Sequence, residues 1–201
     1  MQHSVVVNMP NSGDKSFGVP AKKVWKAHFH LTLSNVSSEE LMKAAKIIGA
    51  KCTTIDLHRD TKSQRDRMLT KYQSDLDTTL MLQCVEKLEN AGFNVVRYKL
   101  ERMFKHVACV LFMDLSKENY GEVHIKTSAS DPEVETNFFR ISSNAEEVDY
   151  RFYNARLYSA EDKLRFNEAY DMLLNSGIQI KGYHIEQVVV DSNLNLDAWW
   201  A

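Results

Sequence analysis

The chain has few cysteines, almost no net charge and no long apolar run, and each absence excludes a class of protein. Cys52, Cys84 and Cys109 are odd in number, widely spaced and form no CxxC pair. Such a set is typical of reduced, buried thiols, and it excludes a zinc ribbon. We therefore expect a cytoplasmic protein.

Charge and hydropathy exclude further classes. The formal net charge is −2 at pH 7, which argues against wholesale electrostatic binding of duplex DNA or of an anionic membrane surface. No run of about 18 apolar residues predicts a spanning helix, and the N-terminus lacks the charged-then-apolar layout of a signal peptide. With 201 residues, 44% of them hydrophobic and 26% charged, the chain is predicted to be an ordinary soluble globular protein.

Two stretches place histidine on the polar face of a predicted strand. Residues 26–34 alternate between apolar and polar side chains, which is the period of a strand with one buried face. The polar face of that strand carries two imidazoles and two hydroxyls: His28, His30, Thr32 and Ser34. Residues 120–127 repeat the alternation, with a polar face made of Glu122, His124 and Lys126. The two strands predict a site built from two histidines.

Local signals outline the remaining elements. A capping box at Ser37 and Glu40 predicts the start of a helix, which Gly49 ends. Residues 58–72 are dense in charge of both signs and are predicted to be a solvated loop or helix face. The alternative is a flap that carries three arginines toward a phosphate: Arg59, Arg65 and Arg67. The apolar residues 106–114 are predicted to be a central strand, and residues 128–149 a loop.

An internal similarity suggests how the elements are arranged. Residues 88–101 align with residues 173–186, so that a glycine, a tyrosine and a glutamate coincide: Gly92 with Gly177, Tyr98 with Tyr183, and Glu101 with Glu186. Self-similarity of this kind indicates repeated units. We therefore predict an α+β fold, a duplicated two-lobed sheet-and-helix domain with pseudo-twofold symmetry. Its predicted parts are an N-terminal arm at 1–23, lobes at 24–114 and 115–191, and a tail at 192–201 that packs through Trp199 and Trp200.

The segment Phe29-His30-Leu31-Thr32-Leu33 resembles the hydrophobic–His–hydrophobic–Thr–hydrophobic motif of the 2H phosphoesterase superfamily. The second copy, residues 123–127, departs from that pattern because Lys126 stands where the family has Thr or Ser. The resemblance implies a phosphodiesterase, without metal or other cofactor, that cleaves a cyclic nucleotide or an RNA phosphodiester. His30 and His124 would be its general acid and base, and Thr32 and Lys126 would hold the phosphate.

Other residues complete the predicted site and leave two further functions open. His28, His184, Tyr98 and Tyr183 are candidate substrate-binding residues, although core or rim packing is the commoner role of such tyrosines. A different interpretation uses four possible ligands of one divalent metal, in an order that resembles the vicinal oxygen chelate fold: His30, Glu101, His124 and Glu186. A third interpretation is a non-catalytic binding module. The expected partner is a small nucleotide or an RNA end, and the oligomeric state is left open.

Overall fold

The computed structural model describes residues 26–59, 62–144 and 147–196. Within these ranges, eight strands close into one antiparallel barrel. The strands are β1 Ala27–Leu33, β2 Lys51–Arg59, β3 Lys62–Gln73, β4 Val95–Phe104, β5 Gly121–Ser128, β6 Arg140–Asn144, β7 Tyr150–Leu157 and β8 Ile180–Asp191. The helices are α1 Ser38–Ile48, α2 Thr78–Asn90 and α3 Ala160–Asn175, with one 3₁₀ helix at Val107–Phe112. The predicted arm at 1–23 and the two tail tryptophans lie outside the described residues.

The predicted two-lobed architecture is wrong. The order around the barrel is β1-β3-β2-β6-β7-β5-β8-β4. The first four strands therefore meet the last four along two edges, β2 with β6 and β4 with β8. These pairings join all eight strands into one closed sheet instead of two separate lobes. Residue alternation identifies a strand but carries no information about which neighbour completes its backbone hydrogen bonds.

The hydrophobic core of this molecule lies outside the barrel, between the strands and the helices. Phe29 and Leu31 of β1 are fully buried in a cluster with residues of α1 and α2. Val123 and Ile125 of β5 belong to a second cluster, which α3 covers. The alternation predicted for both histidine strands is confirmed. Because the apolar faces point outward to the helices, the polar faces line the interior, a cavity of about 520 Å³.

Helix boundaries follow the predicted signals closely. Ser37 accepts a hydrogen bond at Oγ from the Glu40 amide, and the Glu40 carboxylate accepts one from the Ser37 amide, at 3.2 and 2.7 Å. This capping box begins α1, and Gly49 ends it with a φ of +63°, a conformation that glycine adopts without strain. Ser159 caps α3, and Asp77 caps α2. None of the described helices has the length and apolar character needed to span a membrane.

The charged segment 58–72 is mostly strand, so its prediction as a loop or helix face is wrong. Most of it forms β3, which pairs with β1 on one side and with β2 on the other. The Arg65 guanidinium donates to Asp56 at 2.7 and 3.0 Å, and Arg67 donates to the carbonyl of Val36 at 2.9 Å. Among the described side chains that line the cavity, neither arginine is present. The phosphate-flap alternative is therefore wrong for these two, and the Arg59 side chain is not described.

Two other local predictions are wrong. Residues 107–112 form a 3₁₀ helix, and Phe112 in it is 86% exposed, so the apolar run at 106–114 is not a central strand. Residues 140–144 form β6, within the stretch predicted to be a loop. This short strand has little apolar alternation of its own. It forms because β2 and β7 offer backbone partners on both sides.

Candidate functional site: two histidine–glutamate triads inside the barrel

Four neighbouring strands, in the order β1-β4-β8-β5, build the polar wall of the cavity. Each strand contributes at least two inward side chains, and two of them stand at positions i and i+2 because alternate residues share a face. These pairs are His28 and His30, Lys99 and Glu101, His184 and Glu186, and Glu122 and His124. The predicted catalytic pair, His30 and His124, therefore lines one and the same cavity.

The first triad consists of His28, His30 and Glu101. The Nε2 atoms of His28 and His30 lie 2.5 and 3.0 Å from one oxygen, Oε2 of Glu101. Lys99 Nζ lies 2.6 Å from the other oxygen. Both oxygens of this fully buried carboxylate are therefore engaged in direct contacts with nitrogen. The Nδ1 atom of His30 lies 2.9 Å from Oγ1 of Thr70.

The second triad consists of Glu122, His124 and Glu186, and it is more open. His124 Nε2 lies 3.6 Å from Oε2 of Glu122 and 3.4 Å from Oε2 of Glu186, both beyond a normal hydrogen bond. Arg156 donates to Oε1 of Glu122 at 2.9 Å and so orients that carboxylate. The His124 side chain is 29% exposed, compared with 18% for His30. A space between three donor atoms therefore faces the cavity.

A neighbouring amide determines which nitrogen of His124 carries hydrogen. Asn154 Nδ2 is surrounded by three acceptors, the carbonyls of Arg140 and Phe152 and the hydroxyl of Ser142, at 3.0–3.1 Å. The other amide atom, Oδ1, must therefore be the acceptor that lies 2.7 Å from His124 Nδ1. Nδ1 carries the hydrogen, and the lone pair of a neutral imidazole lies on Nε2, which faces the two carboxylates.

The pKa values of His30 and His124 are shifted in opposite directions, whereas contacts with Glu186 and Glu101 raise the pKa of His28 against the effect of burial. Burial lowers the pKa of His30, and Glu101 offsets this effect only in part. Burial also acts to lower the pKa of His124, but its contacts with Glu122 and Glu186 outweigh burial and raise the pKa to about 10. At the same pH, His124 therefore carries more positive charge than His30.

The triads are also linked to each other. His28 Nε2 lies 3.3 Å from Oε1 of Glu186, and Lys99 Nζ lies 2.8 Å from Oε2 of Glu122 as well as close to Glu101. Lys99 thus places one permanent positive charge between the carboxylates of the two triads. In this part of the barrel, the charges form one continuous network.

Each triad brings three nitrogen and oxygen donors within 4.8 Å of one another, a spacing at which a metal ion can be held. The four residues predicted to surround one metal are instead divided between the triads, two in each. His28 completes one set, and Glu122 completes the other. The donors of this cluster therefore form two candidate metal sites.

Several predicted substrate-binding residues lie elsewhere or are already engaged. Tyr98 and Tyr183 pack against the two outer hydrophobic clusters, and neither lines the cavity. Lys126 forms an ion pair with Glu147 and lies over the Tyr150 ring, 3.7 Å from its centroid. In contrast, three predicted residues besides the catalytic pair do line the cavity: His28, Thr32 and His184.

Sequence reasoning missed Glu122, Lys99, Arg156 and Asn154 as functional residues. The signal for Glu122 and Lys99 was present, because each stands two positions from another polar residue on a predicted strand. Arg156 and Asn154 alternate in the same way on β7. No local pattern distinguished them, and only the pairing of β5 with β7 brings them to the second triad.

Arg97 is another cationic side chain of the cavity, and its role is structural. Its guanidinium donates to both carboxylate oxygens of Asp191, at 2.9 and 2.5 Å, and to the hydroxyl of Tyr120 at 3.2 Å. The Tyr120 hydroxyl itself donates to Asp191 at 2.7 Å. These bonds connect β4 to β8 beside the triads and hold that seam of the barrel together.

Comparisons of the chain with protein-family models, with curated proteins and with solved structures find no match. The interpretation of function therefore starts from the geometry of the two triads.

Proposed function

We propose that this protein is a divalent-metal-dependent enzyme that acts on a small anionic substrate inside its barrel. The observation that carries this proposal is the orientation of His124. Its Nδ1–H donates to Asn154, so Nε2 is directed between the carboxylates of Glu122 and Glu186. One nitrogen and two carboxylate oxygens that face one another in this way attract a cation into the space among them, a proton on Nε2 in metal-free protein and a divalent ion when one binds.

The donor set suits a divalent ion. One imidazole nitrogen and two carboxylate oxygens are ligands of Zn²⁺ and of related ions such as Mn²⁺, Fe²⁺ and Co²⁺. Two of the three ligands are already held by neighbours: His124 by Asn154, and Glu122 by Arg156. Outer hydrogen bonds of this kind are a regular feature of metal sites, because they orient the ligands before the ion arrives.

The charges around the triads favour an anionic substrate. Lys99 and Arg156 both contact Glu122, and a cation bound to that carboxylate would neutralise part of the charge that they now balance. The potential of the cavity then becomes more positive and attracts an anion. A bound ion of this kind polarises a substrate oxygen or lowers the pKa of a water molecule to near neutrality.

A second candidate is the metal-independent phosphodiesterase that the 2H resemblance implies. Its support is that His30, His124 and Thr32 line the same cavity. In that mechanism one imidazole removes a proton from the attacking hydroxyl and the other protonates the leaving oxygen. The Nε2 atoms of both imidazoles face carboxylates in this structure, and this arrangement favours the metal-dependent candidate.

The test combines metal content with turnover. The protein is stripped with a chelator, and Zn²⁺, Mn²⁺ or Mg²⁺ is added back. The probes are 2′,3′-cyclic nucleotides, cyclic dinucleotides, short RNA and small phosphomonoesters. Tight binding of one of these ions, with turnover that chelation removes and the ion restores, supports the proposal. Turnover that survives chelation supports the second candidate, and failure to bind any of the ions contradicts the first. Tight binding of a probe without turnover favours the binding-module interpretation.

A further inference from the structure

We propose that the barrel holds a single divalent ion, bound by Glu122, His124 and Glu186, while the triad of His28, His30 and Glu101 stays free of metal. This inference rests on the proposed function and assigns its metal to one of two sites made of the same residue types. Two features of the cavity support the assignment, the spacing of the donors and their access to the cavity, and the balance of charge limits the number of ions to one.

Donor spacing separates the triads. Two ligands at 2.0–2.1 Å from a tetrahedral ion lie about 3.3 Å apart, by simple geometry from the usual bond lengths. His124 Nε2 lies 3.4 and 3.6 Å from its two carboxylate oxygens, which leaves the width of an ion between them. His28 Nε2 lies 2.5 Å from Glu101. That distance is a direct hydrogen bond, and an ion cannot bridge the two atoms unless they separate.

Access to the cavity also differs. An ion that acts on a substrate needs a coordination position that the protein leaves open. His124 is 29% exposed, whereas His28 and Glu101 are 4% and 0% exposed. The Nδ1 atom of His28 is buried and has no hydrogen-bond partner within the described residues. His30, the most open residue of the other triad, is 18% exposed, so a substrate reaches an ion at Glu122, His124 and Glu186 more readily.

The balance of charge limits the number of ions to one. Three carboxylates and two permanent cations meet in this network: Glu101, Glu122 and Glu186 with Lys99 and Arg156. With neutral imidazoles their net charge is −1, and one divalent ion brings it to +1. A second ion would raise it to +3 in a largely enclosed site, which is costly. Lys99 contacts Glu101 at 2.6 Å and Glu122 at 2.8 Å, so the charge balance sets the number of ions, and donor spacing and access assign the ion to one triad.

The experiment measures stoichiometry and location together. Chelator-treated full-length protein is titrated with Zn²⁺ by calorimetry and with Co²⁺ by visible absorption, for the wild type, His124→Ala and the matched variant His30→Ala. We expect one ion per wild-type chain. Loss of an outer hydrogen bond to a metal ligand weakens binding by about 10–100-fold. His124→Ala removes the ligand itself, so we expect a larger loss of affinity. His30→Ala should keep one ion with unchanged affinity and an unchanged Co²⁺ spectrum.

A measurement on the wild type covers the case in which a variant does not fold. In ¹⁵N spectra of histidine-labelled protein, added Zn²⁺ should shift the Nε2 resonance of His124 and leave the ring resonances of His30 in place. Two ions per chain, or loss of the ion in His30→Ala with retention in His124→Ala, would overturn the assignment but leave a metal-dependent function intact. Absence of any bound ion would overturn both.

Discussion

The two triads share residue types and one cavity, but they differ in how they accommodate buried negative charge. Glu101 is fully enclosed and lies in direct contact with two imidazoles and an ammonium. Glu122 and Glu186 instead face an imidazole nitrogen across a gap of 3.4–3.6 Å, and the hydrogen bond from His124 to Asn154 directs Nε2 into that gap. The difference shows that a His/Glu set becomes a candidate metal site through spacing and outer hydrogen bonds, and composition alone does not define one.

The largest predicted difference is between the protonation of His30 and that of His124. In metal-free protein the pKa of His124 is raised to about 10, because the attraction of Glu122 and Glu186 exceeds the effect of burial. The pKa of His30 is lowered from its usual value of 6.5, chiefly by burial. We expect NMR titration of the imidazole carbons to find His124 protonated and His30 neutral at pH 7.

The same shift sets a pH dependence of folding. A raised histidine pKa stabilises the metal-free fold fully below pH 6.5, and this stabilisation is lost as the pH rises through about 10. Urea unfolding of chelator-treated protein between pH 6 and pH 10 measures this loss. A His124 that titrates near 6.5 would mean that the second triad attracts no more positive charge than the first.

The next largest effect concerns stability and compares the two aligned glutamates. Glu101→Gln leaves the buried Lys99 with one fewer carboxylate partner, and we expect metal-free protein to lose about 3–5 kcal/mol in free energy of unfolding. Glu186→Gln should cost less, because the contacts of Glu186 with His28 and His124 are 3.3 and 3.4 Å long. Urea denaturation measures both variants. Equal losses would show that the two carboxylates play the same structural role.

A smaller effect tests the outer hydrogen bonds of the two histidines. Asn154→Ala removes the acceptor that orients His124, and we expect affinity for Zn²⁺ to fall about 10–100-fold. Thr70→Ala removes the corresponding partner of His30 and should leave the affinity unchanged. Calorimetric titration compares the variants with the wild type. If Thr70→Ala weakened Zn²⁺ binding as much as Asn154→Ala, the ion would depend on both triads.

The smallest effect concerns Lys126, the residue that departs from the 2H motif. It pairs with Glu147, whose side chain is 31% exposed. Lys126 itself is 10% exposed and lies over the Tyr150 ring, so we expect Lys126→Thr to lower the free energy of unfolding by about 1 kcal/mol. The variant restores the motif. If the protein is a metal-independent phosphodiesterase, we expect the variant to keep turnover and to bind phosphate more weakly. If the protein is a metal-dependent enzyme, we expect its affinity for Zn²⁺ to stay unchanged. Calorimetry measures this affinity, and urea unfolding measures the change in stability.

Local sequence signals predicted much of the fold at the level of single elements. The alternation in residues 26–34 and 120–127 identified β1 and β5 and the faces that carry His30 and His124. The capping box at Ser37 placed α1 to the residue. These predictions succeeded because period and capping depend on neighbours within a few residues. The charged strand β3 and the short strand β6 were missed because both depend on partners distant in the chain.

The amino-acid sequence by itself determined which side chains share a strand face and where most helices begin, since these follow from backbone geometry. Only the tertiary structure decided that both outer edges pair, which closes a barrel whose apolar surface faces outward and whose polar faces enclose a cavity. Pairing of β5 with β8 brought Glu186 to His124, pairing of β5 with β7 added Asn154, and closure of β4 against β8 joined the two triads. Donor distances of 2.5–3.0 Å in one triad and 3.4–3.6 Å in the other then distinguish them, because a hydrogen bond and a metal site differ in the distance between their donor atoms.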